Sequence, residues 1–147
     1  MMDSFVIRDV ETRDLAEVLQ LLSHLTSAPL LSEEELVHVH NRRISAGVRT
    51  RVAVHPTTMR IIGTASLIVE PKFTRGGKSV GHVEDVVTHP DFRGRGVGRD
   101  LLRNLVDVAR TSGCYKVILD CTDEMVAYYS NAGFRKCENQ MRLDIAP

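Results

Sequence analysis

Glycine and arginine alternate in one short segment of the 147-residue sequence, Arg93-Gly94-Arg95-Gly96-Val97-Gly98-Arg99. The segment follows an apolar, strand-like run and precedes an amphipathic, helix-like one. Glycine lets the backbone approach a ligand closely, and the first amides of a helix lack intrahelical acceptors. These features predict a backbone cradle for an anion, most naturally a phosphate. The alternative interpretation is a plain strand-to-helix turn in which glycine relieves crowding.

The glycine segment matches neither of two common nucleotide-binding motifs. A Walker loop needs lysine followed by serine or threonine after its last glycine, and the segment lacks both. The dinucleotide fingerprint needs glycine at its sixth position, where this sequence has Arg99. A nucleotide-binding module is therefore disfavoured.

Two adjacent carboxylates, Glu84 and Asp85, lie in the strand-like segment 81–90. Regular alternation predicts one face with His82, Glu84, Val86 and Thr88 and an opposite face with Val83, Asp85 and Val87. A carboxylate in an apolar strand is costly unless it is paired or used. Two interpretations stay open: ion pairs with arginines, or a base (or water-holding acid) beside the glycine segment.

A third group of chemically able residues lies near the end of the chain. Asp120 ends a short apolar strand, where ligands of α/β proteins collect. Tyr128 and Tyr129 are neighbours on a predicted helix, about 100° apart, so one is expected in the core and the other in a cleft. A tyrosine hydroxyl can protonate a leaving thiolate when the site assists the transfer. Cys121 has no histidine placed as its base and is a weaker nucleophile candidate.

Composition and length exclude several classes of function. Lys plus Arg and Asp plus Glu number 19 each, which disfavours nucleic-acid and anionic-membrane binding. The three cysteines form no CxxC pair, and His38 and His40 have no third ligand at metal spacing, so no metal is expected. Free thiols and the lack of a membrane span or signal peptide predict a cytoplasmic protein. The length predicts one domain over residues 1–147.

The hydrophobic pattern predicts the scaffold that must position these residues. The predicted order is β-α-α-β-β-β-α-β-α-β, beginning with a strand over 5–10 and ending with one or two strands between 134 and 143. Thr12 is the predicted cap of a first helix with Leu25 on its apolar stripe, and Ser32 with Glu35 forms a capping box for the second. A later helix has its apolar positions at Leu101, Leu102, Leu105, Val108 and Ala109. The fold class is therefore α/β (α+β), a mixed sheet with helices packed on it.

Together these motifs resemble the GNAT acetyltransferase superfamily. Its [Q/R]-x-x-G-x-[G/A] signature appears at residues 93–98 and its later Tyr-x-x-x-Gly-Phe at residues 129–134. Within the superfamily, the blocks GHVEDVV (81–87), GCYKVILDC (113–121) and YYSNAGF (128–134) resemble the glucosamine-6-phosphate N-acetyltransferases. The resemblance runs from about residue 5 to 141. It implies the GNAT fold, a central, mixed, largely antiparallel sheet with flanking helices and strands that splay at an acetyl-CoA site.

The resemblance also implies an activity and a set of site residues. Acetyl would pass from acetyl-CoA to the 2-amino group of glucosamine 6-phosphate in a ternary complex, on the route to UDP-N-acetylglucosamine, with no metal and in a homodimer. Acetyl-CoA would be bound by Val86, Val87, Thr88, Arg93, Gly94, Arg95, Gly96, Val97, Gly98, Arg99, Tyr129 and Asn131. The sugar phosphate would be bound by Thr26, Lys72, Phe73, Thr74, Arg75, Glu84, Asp85, Tyr115, Lys116, Asp120 and Arg142, with Tyr115 and Lys116 coming from the partner. Glu84, Asp120 and Tyr129 would be catalytic.

The sequence departs from the family pattern at one place and leaves other functions open. The family has a basic residue near the end of its last strand, where this chain has Asp144, and Arg142 is the expected substitute. Another amine acceptor, such as a protein N-terminus, a polyamine or an antibiotic, is the main alternative. The basic segment 72–78 favours an anionic acceptor over a polyamine. A catalytically silent acyl-CoA sensor is the alternative from a different class.

Overall fold

A computed structural model describes residues 4–146, and the elements follow in the order β-α-α-β-β-β-α-β-α. The strands are β1 (Val6–Asp9), β2 (Val48–Val54), β3 (Ile61–Pro71), β4 (Ser79–Thr88) and β5 (Cys114–Ile118). The helices are α1 (Leu15–Leu22), α2 (Glu33–Ser45), α3 (Val97–Thr111) and α4 (Val126–Asn131), with short 3-10 turns before α1, β4, α3 and α4.

The strands form one sheet in the order β1-β2-β3-β4-β5. Each neighbouring pair is antiparallel except β4 and β5, which run parallel. The parallel step requires a crossover, and α3 supplies it. The predicted mixed, largely antiparallel sheet is confirmed.

Helix α3 covers one face of the sheet and forms the main core. Its predicted apolar positions are all buried: Leu101, Leu102, Leu105, Val108 and Ala109. They pack against side chains of β3 and β4, including Leu67 and Val83. The helix approaches β3 so closely that a Cβ on Gly63 would lie 2.6 Å from Val97 Cγ1, which explains glycine at that strand position.

Helices α1 and α2 belong to the opposite face. Val18 and Leu21 of α1 pack against a second cluster that includes Val52 and Val87. The capping box predicted for α2 is confirmed: Ser32 Oγ accepts from the Glu35 amide at 3.2 Å, and Glu35 Oε2 accepts from the Ser32 amide at 2.7 Å. These two local hydrogen bonds satisfy amides that the helix itself leaves free.

Truncating the α3 core is expected to destabilise the protein strongly. Leu105 is fully buried in the cluster between α3 and the sheet. Leu105→Ala should lower the free energy of unfolding by about 2–5 kcal/mol, because both buried area and packing are lost. Leu30→Ala is the matched control, since Leu30 is 93% exposed and its loss should change stability by less than about 0.5 kcal/mol. Urea unfolding of both variants measures the difference, and equal destabilisation would contradict the core assignment.

Two expectations for local structure are wrong. Helix α1 ends at Leu22, so Leu25 lies beyond it and is 49% exposed rather than part of the apolar stripe. The strands expected between residues 134 and 143 do not form in the described chain. A strand needs a paired neighbour, and the residues after Gly133 have none in the described sheet.

Candidate active site

Strand β4 carries a bulge at the predicted carboxylate pair. Asp85 has φ +54, and the register against β3 slips there: Glu84 lies opposite Ser66, whereas Val87 lies opposite Thr64. Ser66 and Thr64 are two residues apart, so Glu84 shares its face with Val87. The predicted shared face of Glu84 and Val86 is wrong, because one extra residue in a strand reverses the faces beyond it. Aspartate tolerates a left-handed conformation better than most residues, which is the only local signal for the bulge.

Beyond the bulge, successive side chains of β4 face opposite sides of the sheet. Val87 is buried in the cluster with α1, so its side chain is not available to a ligand. Val86 packs against the α3 side, and Thr88, opposite Gly63, lies on that side as well. Of the three residues predicted to run beside the acetyl-CoA arm, the structure therefore places Val86 and Thr88 towards α3.

Strand β5 ends beside the middle of β4. Their parallel pairing ends at His82 opposite Ile118, whereas β4 continues to Thr88. Within residues 4–146, no strand pairs with the last six residues of β4 on the β5 side. We call this open edge of β4, beyond the end of β5, the wedge, and its unpaired backbone groups can bind an extended ligand. The splaying of the strands stays a prediction.

The glycine segment forms the N-terminus of α3 at this wedge. Gly96 caps the helix with φ +84, a conformation that favours glycine. The Asp100 amide donates to the Gly96 carbonyl at 3.0 Å, so the amides of Val97, Gly98 and Arg99 precede the first helical hydrogen bond. Several amides therefore point out of one helix end, which is the geometry for binding an anion.

The Tyr128 hydroxyl lies against Gly98. A Cβ on Gly98 would collide with Tyr128 Oη and would lie 3.6 Å from Thr88 Oγ1. The neighbouring Tyr129 is half-buried against the α3-side core, with its ring 6.1 Å from that of Phe134. Burial raises the pKa of Tyr128 despite nearby Arg99, and burial with Tyr128 and Cys121 raises the pKa of Tyr129. Both hydroxyls are therefore protonated at neutral pH.

The charges of two other carboxylates, Asp85 and Asp120, act on Glu84 at the open end of the wedge. Burial, then the charges of Asp85 and Asp120, raise the pKa of Glu84, and His82 opposes them. No lysine or arginine in the described part of the chain forms an ion pair with Glu84 or Asp85. The interpretation of these carboxylates as partners of arginines is thus not supported. The group is suited to holding and deprotonating an amine.

A cavity of about 410 Å³ lies beside these carboxylates and contains five of the eleven predicted acceptor residues in its lining. Five of its lining residues were predicted from the sequence: Lys72, Phe73, Thr74, Tyr115 and Lys116. The Arg75 guanidinium lies 5.1 Å from the centre of the Tyr115 ring, and the Lys116 ammonium lies 5.5 Å from it. These residues come together within one chain, whereas the resemblance draws Tyr115 and Lys116 from a partner.

Four residues that line the cavity were missed: Glu70, Val80, His82 and Ile118. Val80 and His82 share the strand face of Glu84, so alternation along β4 contains a signal for both. Glu70 and Ile118 reach the cavity only through the pairing of β3 and β5 with β4. That pairing is a long-range property that local sequence does not reveal.

The other predicted acceptor residues lie outside the lining of this cavity, among them Arg75, Glu84, Asp85 and Asp120. Thr26 is exposed after α1, with its amide bound to the Leu22 carbonyl. Asn131 ends α4 and is exposed. Arg142 lies in the exposed C-terminal segment and pairs with Asp144 at 2.7 Å. Within residues 4–146, no group of His, Cys, Asp or Glu is arranged to hold a metal, and no helix is long and apolar enough to cross a membrane.

Comparison with known proteins assigns the fold and the chemistry. The model of the acetyltransferase (GNAT) family matches residues 16–134, which contain the wedge, the glycine segment and the cavity. The chain belongs to the GNAT family. This GNAT protein is an acyltransferase, and GNAT acetyltransferases use acetyl-CoA.

The GNAT chain is similar over nearly its full length to enzymes of one specificity. It is 50% identical to the glucosamine 6-phosphate N-acetyltransferase of Trypanosoma brucei brucei, with 95% of each chain covered. It is 43% identical to a probable glucosamine 6-phosphate N-acetyltransferase of Oryza sativa, covering 95% of this chain and 87% of that protein. The crystal structure of the Arabidopsis thaliana enzyme superposes with a TM-score of 0.90 at 32% identity, covering 97% of this chain and 99% of that one.

Proposed function

We propose that this single-domain protein transfers the acetyl group of acetyl-CoA to the 2-amino group of D-glucosamine 6-phosphate. The products are N-acetyl-D-glucosamine 6-phosphate and CoA, a step in UDP-N-acetylglucosamine synthesis. One observation carries the proposal: a cavity lined by Lys72 and Lys116 leads to a group of three carboxylates at the open end of the wedge. The names of the similar enzymes support the same acceptor.

The charges at the two ends of the acceptor site match the two ends of the substrate. Lys72, Lys116 and nearby Arg75 provide the cations that a phosphate monoester requires. His82, which lines the cavity, and Glu84 are two residues apart on one face of β4, a distance of about 7 Å. An acceptor with a phosphate at one end and an amine at the other spans these groups. A polyamine would instead bring its own positive charges beside these cations, which would repel it.

The acetyl donor is proposed to lie in the wedge and over the helix end. The amides of Val97, Gly98 and Arg99 would hold the pyrophosphate, since one helix-end interaction contributes only about 0.3–1 kcal/mol and several must converge. Val86 and Thr88 would line the pantetheine arm. A β4 amide near Val86 would polarise the thioester carbonyl, because β5 leaves that backbone unpaired.

The proposed reaction is direct transfer without a covalent enzyme intermediate. Asp120, or a water held by Glu84, takes a proton from the ammonium of the substrate. The amine then attacks the thioester carbon, so that a carbon–nitrogen bond forms and the carbon–sulfur bond breaks. CoA leaves as a thiolate, and Tyr129 donates its proton to the sulfur. The nitrogen loses its second proton as the amide forms, and that proton restores the Tyr129 hydroxyl through solvent.

A methyl group at Gly98 is expected to weaken acetyl-CoA binding. Gly98→Ala would push the Tyr128 hydroxyl away from the helix end, and overpacking of this kind costs about 1–3 kcal/mol. Calorimetric titration should show acetyl-CoA affinity lowered about tenfold. The double variant Gly98→Ala/Tyr128→Phe is the matched control, because it lacks the colliding oxygen and should recover most of the affinity. A double variant as weak as the single one would show that the collision is not the cause.

Acetyl-CoA-dependent thiol release tests the proposed function. Purified protein is given glucosamine 6-phosphate, glucosamine or spermidine, and free CoA is measured. Release that is fastest with the phosphorylated sugar supports the proposal. Release with spermidine alone would indicate another amine acceptor. Acetyl-CoA binding without release in any reaction would favour a catalytically silent sensor.

We also propose that the enzyme is a homodimer. Met141, Leu143 and Ile145 are 90%, 87% and 94% exposed and alternate with polar residues, as in a strand with one apolar face. The outer edge of β5 has no strand partner within the described residues. An exposed apolar segment and an open sheet edge are complementary between two copies, which supports association.

Removing the apolar face of the C-terminal segment is expected to shift the dimer to monomers. The triple variant Met141→Ser, Leu143→Ser, Ile145→Ser loses three exposed apolar side chains without touching the described core. Sedimentation equilibrium should give the dimer mass for the unaltered protein and the monomer mass for the variant. Asn139→Ala in the same segment is the control and should stay dimeric. A dimeric triple variant would exclude this segment as the contact.

A further inference from the structure

Glu70 and His82 line the acceptor cavity and have no role in the proposed reaction, and both belong to a hydrogen-bonded group that includes Lys72. Glu70 Oε1 lies 2.9 Å from Lys72 Nζ and 3.1 Å from His82 Nε2. All three residues line the cavity. The hydrogen bonds from Lys72 and then His82 lower the pKa of Glu70, so its carboxylate is charged at neutral pH. One carboxylate is therefore shared between a permanent cation and a histidine.

The contact with Glu70 determines which nitrogen of His82 carries the proton. A carboxylate only accepts, so Nε2 must be the protonated nitrogen. Nδ1 forms no hydrogen bond with any other residue of the described chain. In the neutral ring Nδ1 is an acceptor and cannot bind an anion. In the protonated ring it becomes a second donor while Nε2 keeps its bond to Glu70.

The charges around His82 change when a phosphate enters. Glu70 and Lys72 face it from the β3 side, Glu84 from β4, and Tyr115 and Lys116 from β5. In the empty cavity Lys72 neutralises Glu70. An arriving phosphate competes for Lys72 and leaves the Glu70 carboxylate beside a second anion. A proton on the ring between them offsets that repulsion.

We propose that His82, oriented by Glu70, determines specificity for the phosphate of the acceptor by taking up a proton when the phosphate binds. The proton comes from solvent, Nδ1 donates it in a hydrogen bond to a phosphate oxygen, and it returns to solvent when the product leaves. An acceptor without a phosphate places no second anion beside Glu70, so its binding should be accompanied by no proton uptake. The inference rests on the proposed function, because it presupposes a phosphorylated acceptor in this cavity.

Calorimetry with the N-acetylated product tests the proton uptake directly. N-acetylglucosamine 6-phosphate has an amide in place of the amine, so its nitrogen does not titrate. Its phosphate has a second pKa near about 6, and selection of the dianion would release protons rather than take them up. Titrations at one pH near 7.5, in two buffers of different ionisation enthalpy, give the number of protons exchanged.

Net proton uptake is expected in the unaltered protein, with none in His82→Gln and less in Glu70→Gln. His38→Gln, an exposed histidine of α2, is the control and should keep the uptake. No uptake in the unaltered protein, or equal uptake in His82→Gln, would overturn the inference. The first of these outcomes does not depend on any variant folding.

Steady-state kinetics separate this inference from the function on which it rests. His82→Gln should raise KM for glucosamine 6-phosphate about tenfold, as expected for losing a charged hydrogen bond, with kcat nearly unchanged. The KM for unphosphorylated glucosamine should rise by a smaller factor in His82→Gln than the KM for glucosamine 6-phosphate does. If glucosamine 6-phosphate is acetylated but product binding takes up no proton, only the inference fails. If glucosamine 6-phosphate is not acetylated and its product does not bind, both fail.

Discussion

Tyr129→Phe is expected to lower turnover by about 10²- to 10⁴-fold, the usual contribution of a positioned general acid. Burial, Tyr128 and Cys121 raise the pKa of Tyr129, so the hydroxyl carries its proton at neutral pH and is able to donate it. The thiol of CoA has a pKa near ~8.5 and a phenol one near ~10, so the thiolate is a weaker base than the tyrosinate. Proton transfer from Tyr129 to the sulfur therefore needs assistance from the site. Acetyl-CoA affinity should change little, because the ring and its packing remain.

Tyr128→Phe is the matched control for this prediction. The two tyrosines are adjacent, their rings are 5.1 Å apart, and each substitution removes one oxygen. Thiol-release kinetics give kcat and calorimetry gives acetyl-CoA affinity for both variants. A full loss of turnover in Tyr128→Phe with little change in Tyr129→Phe would transfer the role to Tyr128, whose hydroxyl lies at Gly98. Unchanged turnover in both would remove tyrosine from the mechanism.

Glu84→Gln is expected to lower kcat/KM by about 10²-fold or more and to remove the acid limb of its pH profile. The proposed base works as a carboxylate, so activity is present above the pKa of Glu84 and is lost as the pH falls through it. Burial and the charges of Asp85 and Asp120 raise that pKa. The acid limb of the unaltered enzyme should therefore lie above the range of an ordinary glutamate.

Asp85→Asn tests the origin of that acid limb without removing the base. Asparagine keeps the shape of the side chain and tolerates the positive φ of the bulge. It removes one of the like charges that raise the pKa of Glu84, so the acid limb should move to lower pH. Asp120→Asn should move the limb in the same direction and keep a measurable kcat if the water held by Glu84 takes the proton, whereas loss of kcat would assign that proton to Asp120. An acid limb that stays in place in both variants would contradict Glu84 as the titrating group.

Local sequence determined the parts of this protein that depend on neighbouring residues. The apolar period of α3 identified its buried face, because each turn of a helix repeats the same direction. Ser32 and Glu35 identified the start of α2, because a capping box is closed within four residues. Glycine spacing identified the start of α3, since positive φ is a property of single positions.

Tertiary structure decided what depends on strand partners. The bulge at Asp85 reversed the faces of Val86 and Val87, and the slip arises in the pairing with β3 rather than within β4. The same pairing brought Glu70 to His82 and made them part of the acceptor cavity. The segment after Gly133 has the alternation of a strand, yet it forms none without a partner within the described chain. Helices and capping boxes form hydrogen bonds between residues close in sequence. A strand forms its hydrogen bonds with a neighbouring strand, and that pairing decides its register and which side chains face each side of the sheet.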